Sequence, residues 1–399
     1  MHIARRKTKQ IQVGSVKIGG DAPISIQSMT IPHTSDVKAT LEQIHQLERA
    51  GCELVRVAVP NKESVAALPS IKSQMTVPLI ADIHFDHRLA LKAAAVVDCV
   101  RINPGNIGPW WKMMEVVKAV NDHGIPLRIG VNSGSLDRHV LEKYGYPTAE
   151  ALAESALMTV RALEDADFTN MKVSLKASDV HMAVDAYWHF SNHSHYPLHL
   201  GITEAGTAQT GAVKSALGIG WLLMNGIGDT FRVSLAADPV EEVRVGYEIL
   251  KSLELRRRGI TVIACPTCGR VEIDVVRMAN ELEQRLSHIQ VPLTVSVLGC
   301  VVNGIGEGKE ADIGIAGGQG AGILFKKGKL VRKVPSEELV ETLIQEVEEM
   351  AKEQQGQIKD SSCASFQTSD TSKRPQVGQV NGGHSPSRLN DIPVLPGIR

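Results

Sequence analysis

The chain has almost no net charge: 43 Lys and Arg stand against 44 Asp and Glu over 399 residues, a formal −1. Nothing global therefore draws nucleic acid or an anionic membrane to it, and any phosphate site has to be a local arrangement. It also lacks the run of about 18 apolar residues that a membrane-spanning helix requires. The basic start MHIARRKTKQ is followed by IQVGSVKIGG rather than by an apolar stretch, so no secretory leader is expected. Six cysteines without a pairing pattern do not make the framework of a secreted disulfide protein, and a reducing cytoplasm is the expected setting. No GxGxxG follows an early strand, which deprives an open dinucleotide-binding sheet of its fingerprint.

What is present is a composition with 43% hydrophobic and 22% charged residues, ordinary for a soluble protein and long enough for two or three domains. Between about residues 24 and 253, short β-rich runs alternate with longer amphipathic ones. Eight strand candidates stand out: ISIQSM (24–29), LVRVAV (54–59), LIADI (79–83), VRIN (100–103), LRIGVN (127–132), MKVSLKA (171–177), LHLGITE (198–204) and TFRVSL (230–235). Asp, Ser or Thr tends to precede each intervening helical pattern and Gly often follows, as helix caps require. Strict alternation implies a parallel sheet, and eight such units predict an α/β fold of the (β/α)8 TIM-barrel type. The preceding QIQVGSVKIGG (10–20) predicts a small hairpin closing the barrel's bottom.

Strand parity says more. Successive side chains point to opposite faces, and the apolar face must meet the helices. Val55, Val57 and Val59 then oppose Arg56; Val100 and Ile102 oppose Arg101; Leu127, Ile129 and Val131 oppose Arg128 and Asn132; Val173 and Leu175 oppose Lys172, Ser174 and Lys176. A barrel interior is ordinarily filled by branched apolar side chains. Here it holds Arg56, Arg101, Arg128 and Lys176, which repel one another unless acids or an anion sit among them. Pairing of each Arg with a barrel carboxylate is one possibility, with Asp82 and Glu204 as the main candidates. A di- or polyphosphate ligand, suited to guanidinium forks, is the other. Parity puts Glu204 on the outward face, so a bulge or the strand's end must re-aim it if it acts. ITEAGT nevertheless lies at a C-terminal strand rim, where barrel enzymes keep catalytic groups.

After a polar connector, LELRRRGI, the sequence predicts a second, smaller α+β unit: strand 261–264, helix 272–288, strand 293–298, a glycine-rich loop, strand 312–315, a hairpin around Lys327–Gly328 and helix 336–353. Cys265, Cys268 and Cys300 each follow a strand candidate. Three thiolates exceed a plain CxxC dithiol and fall one short of a four-cysteine zinc or iron–sulfur site. Glu307 in the following loop offers a carboxylate, a hard and displaceable ligand on a soft site. Cys52 and Cys99 read as small core hydrophobes, and GGQGAG (317–322) as a turn rather than a nucleotide loop, since no helix starts after it.

From about residue 5 to 352 these features resemble the bacterial two-domain form of the 4-hydroxy-3-methylbut-2-enyl-diphosphate synthase family, of the methylerythritol phosphate route. The motifs that carry the resemblance are PISIQSMT, CELVRVAVP, LIADIHFDHRLAL, VRINPGNIG, RIGVNSGSL, VSLKASD, LGITEAGT, CPTCGR and LGCVVNGIGEGKEADIGIAGG. The resemblance implies a [4Fe-4S] cluster on Cys265, Cys268, Cys300 and Glu307, and thus a TIM barrel (1–253) followed by an α+β iron–sulfur domain (254–353). It implies substrate binding by Arg56, Arg101, Arg128 and Lys176, with Asp82, Asn132 and Glu204 as catalytic rim residues. Glu204 would serve in acid–base help at the carbon-3 oxygen. The implied reaction is reductive dehydration of 2-C-methyl-D-erythritol 2,4-cyclodiphosphate, with electrons from ferredoxin or flavodoxin, in a homodimer. Residues 354–399 lie beyond the resemblance; rich in Ser, Gln, Gly and Pro, they are expected to form a disordered tail.

Overall fold

The computed structural model describes residues 3–300, 306 and 308–364; Glu307 and the chain beyond residue 364 lie outside the described residues. Two compact units divide the chain, Met1–Ala351 and Lys352–Arg399, and the barrel and the small sheet both belong to the first. Strands β1 (Ile11–Val13) and β2 (Val16–Ile18) form the expected antiparallel hairpin. Eight parallel strands follow: β3 (Ser25–Met29), β4 (Leu54–Ala58), β5 (Leu79–Ile83), β6 (Cys99–Ile102), β7 (Leu127–Asn132), β8 (Met171–Lys176), β9 (His199–Leu200) and β10 (Thr230–Phe231). Their order is β8-β7-β6-β5-β4-β3-β10-β9, and a parallel bridge between Val173 and Leu198 closes the ring.

Helices α1 (Val37–Ala50), α2 (Lys62–Lys72), α3 (His87–Ala94), α4 (Pro104–Ile107), α5 (Trp110–Asp122), α6 (Arg138–Tyr144), α7 (Ala149–Glu164), α8 (Val180–His193), α9 (Ala208–Met224) and α10 (Pro239–Ser252) make the connections. Their starts follow from the caps. Side chains of Asp36, Asn61, Thr148 and Asp179 accept N–H groups of the first turns of α1, α2, α7 and α8, each cap contributing about 1 kcal/mol. Gly51 ends α1 at φ 95°, a left-handed position that costs glycine nothing sterically.

One large core joins the outward strand faces to the helices: Val55, Val57, Ala81, Ile83, Val100, Ile102, Ile129, Val131, Val173 and Leu175 all belong to it. The inward faces split by height. At the N-terminal ends, Leu54, Ile80 and Cys99 pack against Ile11, Val13 and Ile18 of the hairpin, so the barrel floor is sealed by apolar contacts. Cys52 and Cys99 are buried and serve as core residues. Above the floor the interior is polar.

Two barrel strands are shorter than the sequence predicts. β9 ends at Leu200 and β10 at Phe231, although Ile202 and Val233 remain buried on the outward side. Just past β9, a Cβ at Gly201 would lie 2.9 Å from both the Arg232 carbonyl and the Lys176 ammonium, so the close approach there requires glycine.

The small sheet runs β11 (Ile260–Ala264), β12 (Leu293–Leu298), β13 (Ile313–Ala316), β14 (Ala321–Lys326), β15 (Lys329–Pro335), parallel over the first three and antiparallel thereafter. With α11 (Val275–Arg285) and α12 (Leu339–Ala364) it forms the predicted α+β unit around a separate core containing Val295, Val297, Ile313, Leu343 and Val347. Lys327 and Gly328 make the hairpin turn at positive φ. Of 317–322, only the stretch before Ala321 is turn; β14 begins there. α12 starts three residues later than predicted, after a 3-10 turn at Ser336–Glu338, and runs past 353 to Ala364. Glu353, Gln354 and Gln355 are good helix formers and the next proline is Pro375, so the helix continues, carrying Gly356 inside it at a cost of about 1 kcal/mol.

Ile18→Ala should lower stability by about 3 kcal/mol, the usual cost of emptying a fully buried aliphatic site. Equilibrium unfolding in urea would read this as a lower midpoint with an unchanged slope.

Candidate active site

Parity carries Arg56, Asp82, Arg101, Arg128 and Lys176 to the barrel interior, and all five are buried. Asp82 is the hub. Its Oδ1 accepts from Arg101 Nη1 at 2.8 Å, and its Oδ2 lies 3.6 Å from Arg56 Nε. His84, two residues on, stands beside both, with Nε2 3.5 Å from Asp82 Oδ1 and against Arg101 Nη1. Burial alone would raise the Asp82 pKa, but Arg56, Arg101 and His84 together hold its carboxyl well below the usual range. It is an anion at any working pH.

Arg128 and Lys176 have no carboxylate partner among the described residues. Arg128 donates to Ser174 Oγ from Nε and Nη2, at 3.2 and 3.0 Å, and reaches across to Gln27 Oε1 at 3.5 Å. Burial and then the guanidiniums of Arg56 and Arg101 push its pKa well down; because an arginine keeps its proton, the penalty persists as attraction for an anion. Lys176 is lowered by burial first and by Arg128 next. Asn132, at the end of β7, has a buried Oδ1 with no hydrogen-bond partner, as does Arg101 Nε. Buried polar atoms are rarely left this way; the resemblance assigns Arg101 to substrate binding and Asn132 to the catalytic rim.

Space for these cations is made by glycine. A Cβ on Gly130 would lie 2.5 Å from Arg101 Nε, and one on Gly201 2.9 Å from Lys176 Nζ. Glycine weakens a strand interior and commonly marks such a close approach.

Glu204 falls outside this cluster. Because β9 stops at Leu200, alternation no longer governs residue 204, and the expected outward parity does not apply. The residue is an exposed turn position at φ 52°, rare for a side chain other than Gly, Asn or Asp. No ion pair or hydrogen bond of its carboxylate occurs among the described residues. Left-handed strain of about 1–2 kcal/mol per residue is typical of functional rims, but the structure does not bring Glu204 to Asp82.

Sequence reasoning missed Arg232 and Glu242. Arg232 donates to both oxygens of Glu242 on α10, from Nη2 at 2.8 Å and Nε at 2.9 Å, and Ser28 Oγ donates to the same carboxylate at 2.8 Å. Met29 Sδ sits between Arg56 and Arg232, 3.1 Å from Arg56 Nη2 and 3.5 Å from Arg232 Nη1. Arg232 was legible: in TFRVSL it opposes Phe231 and Val233, as the other barrel arginines oppose their neighbours. Glu242 was not, since it enters from a helix.

In the small sheet, β11 and β12 are parallel neighbours with Ala264 opposite Val297. Cys265 and Cys300 therefore leave adjacent strands in the same direction. Cys265 Sγ accepts the Gly299 N–H at 3.1 Å, a backbone bond of the kind that supports a thiolate ligand. Cys268 is exposed one turn later, and all three thiols are free. Among the described residues no three His, Cys, Asp or Glu side chains converge as a metal centre, and the proposed fourth ligand, Glu307, is outside those residues. The soft donors and the N–H aimed at sulfur fit a thiolate-held group.

Fold and site together define a TIM-barrel protein with a cationic interior and an appended thiol-bearing domain. More particularly, the chain belongs to the GcpE family: residues 8–247 match the GcpE TIM-barrel domain and residues 261–349 the GcpE protein C-terminal domain. It is 55% identical over 363 residues to the 4-hydroxy-3-methylbut-2-en-1-yl diphosphate synthase (flavodoxin) of Geobacillus kaustophilus, covering 91% of this chain and 97% of that one. The enzyme of the same name from Symbiobacterium thermophilum is 56% identical over 352 residues, 88% of this chain and 95% of that one. Among solved structures, the Yersinia pestis dihydropteroate synthase overlays at a TM-score of 0.46 and 12% identity, covering 61% of this chain and 98% of that one.

Gly130→Ala should displace the Arg101 guanidinium from Asp82. The expected result is a substrate affinity about tenfold weaker, from one disturbed charge-assisted contact, together with a lower unfolding midpoint because a buried ion pair is disturbed; titration calorimetry and urea unfolding on the same sample read the two effects separately.

Proposed function

We propose that this chain forms 4-hydroxy-3-methylbut-2-en-1-yl diphosphate, the product named for its relatives, by reductive dehydration of 2-C-methyl-D-erythritol 2,4-cyclodiphosphate. The cyclic dianion takes up two electrons and a proton, the carbon 2–oxygen bond of the ring breaks, the carbon-3 hydroxyl leaves as water, and the open diphosphate carries one more negative charge than the substrate. The observation that supports this best is the surplus of buried cations: Asp82 is shared by Arg56 and Arg101, while Arg128 and Lys176 have no acid among the described residues. Donors preset around developing charge stabilise it without reorganisation.

In this reading Arg56, Arg101, Arg128 and Lys176 hold the diphosphate, and Asp82 fixes the first two. Asn132 offers its unpartnered Oδ1 to a substrate hydroxyl. Glu204, at the rim, is assigned to acid–base help at the carbon-3 oxygen, with its strained turn as the supporting feature. Cys265, Cys268, Cys300 and Glu307 would hold a [4Fe-4S] cluster, which when bound supplies one-electron reduction. Flavodoxin or ferredoxin is the donor in this reading, flavodoxin being the one printed in the relatives' names. The free thiols suit a reducing cytoplasm, and no helix among the described residues is long and apolar enough to cross a membrane.

A homodimer accords with an exposed apolar stripe on α9. Val213, Leu217, Trp221 and Met224 recur at helical spacing and are 57%, 62%, 44% and 55% exposed, and Trp188 of α8 lies with its ring 5.4 Å from that of Trp221. Contiguous apolar surface of this kind marks association sites. In the dimer proposed here, the thiol-bearing domain of one subunit closes the barrel of the other.

Purification without oxygen should give a brown protein absorbing near about 410 nm; a colourless, zinc-loaded protein would remove the redox reading. Arg128→Ala should retain that absorption yet weaken cyclodiphosphate binding by at least about 100-fold, the cost of about 3 kcal/mol for losing a buried charge contact. Unchanged affinity would show that the interior cations do not hold the diphosphate.

A further inference from the structure

In register with Arg128, and four residues before Lys176 on the same strand, lies Lys172, which no step above uses. It faces inward from β8, its Cα is paired with that of Arg128 on β7, it is 0% exposed, and its Nζ has no hydrogen-bond partner. The charged and titratable groups around it are Arg128, Arg56 from β4, Cys99 from β6, His199 from β9 and, on its own strand, Lys176. None supplies a negative charge. Asp82 is held by Arg56, Arg101 and His84, and Glu242 by Arg232 and Ser28. Burial raises the Cys99 pKa, so it remains a thiol, and the hairpin below contributes only Ile11, Val13 and Ile18. The other nearby inward groups, Ser25, Gln27, Ser174 and Thr230, are neutral.

We propose that Lys172 is a positioning cation for the diphosphate: only partly protonated in the mildly alkaline range before the anion arrives, it fills with a proton as the anion binds beside Arg128 and so adds to the charge that holds it. The inference rests on the reading of the barrel as a diphosphate site. A lysine taken out of water without a counter-ion gives up its proton to avoid the cost of a bare buried charge. Burial, with Arg128 and Arg56 adding to it, lowers the Lys172 pKa to about 8. A bound anion opposes that shift, so the pKa in the complex lies higher than in the free protein. Below about pH 7 the ammonium is charged in both states and nothing is taken up. Between the two pKa values binding draws in a proton, and affinity falls as pH rises through that window. Lys176 is lowered too, but its share is common to the native chain and to Lys172 variants and cancels in the difference.

The test is titration calorimetry of the cluster-containing protein, without reductant, with 2-C-methyl-D-erythritol 2,4-cyclodiphosphate in buffers of differing ionisation enthalpy at pH 7 and pH 8.5. The native protein should take up about half a proton more at pH 8.5 than Lys172→Met, as expected for a group titrating near that pH. Lys172→Met should bind about three- to tenfold more weakly at pH 7, the order expected for removing one charge from the same interior, and the gap should close above about pH 9.5. Lys172→Arg, which keeps its proton, should lose less affinity between pH 7 and pH 9 than the native protein, the remaining loss being the share of Lys176. Equal proton counts in native and Lys172→Met proteins that both bind would overturn the role of Lys172 and leave the diphosphate site standing. Failure of the native protein to bind the cyclodiphosphate would remove that site and the inference with it.

Discussion

Everything in the barrel turns on one imbalance: more cations than anions are buried in its interior. A charge taken out of water costs several kcal/mol unless it is paired, and a fold tolerates such a cost only where the rest of the structure is secure. Here that security comes from the outward strand faces, an unbroken apolar layer from Val55 to Leu175 packed on the helices, and from the sealed floor of Leu54, Ile80, Cys99 and the hairpin. The polar interior is thus a layer held between two apolar ones. Its single strand-borne carboxylate, Asp82, cannot neutralise it; it can only decide which cations are fixed.

The glycines in that layer follow from the same constraint. Interior positions of a parallel barrel are normally filled by branched side chains, which would leave no room for a guanidinium lying across the next strand. Gly130 gives its space to Arg101 and Gly201 gives its space to Lys176. The second comes with a local loss of regular pairing, since β9 and β10 are each only two residues long. The barrel closes with a bridge between Val173 and Leu198, on the strand that carries Lys172 and Lys176.

Much of this was legible in the sequence because strand parity is binary. Once Val55 and Val57 are assigned to the helices, Arg56 has nowhere to go but inward, and the same holds for Arg101, Arg128 and Lys176. The argument failed where the strand failed. Glu204 was given a parity although the ladder ends at Leu200, and a left-handed residue at that position cannot be inferred from LGITEAGT by counting. Arg232 obeyed the rule and was overlooked. Its partner Glu242 sits on α10, where helical periodicity says nothing about the barrel interior. In the small domain, the cysteines were legible as residues following strands, and the parallel pairing of β11 with β12 explains why they leave together. The Gly299 N–H on Cys265 Sγ is a backbone contact that no residue type encodes.

The interior cations divide into two kinds, and the division follows from Asp82. Arg56 and Arg101 are tied to it at 3.6 and 2.8 Å, and Arg232 is tied to Glu242, so these guanidiniums have fixed positions and can define where an anion sits. Among the described residues Arg128 is held only by neutral oxygens, and Lys176 by no carboxylate. Neither is tied into an ion pair, and a hydroxyl or amide oxygen is a weaker partner for a cation than a carboxylate or phosphate, so these two gain by turning toward an anionic ligand. A reaction that opens a cyclic diphosphate moves negative charge from within a ring to a free terminal phosphate. A rigid set alone would fit one end of that change and a mobile set alone would define neither. One carboxylate among the strand-borne cations, and not two or none, is what produces both sets in the same cavity.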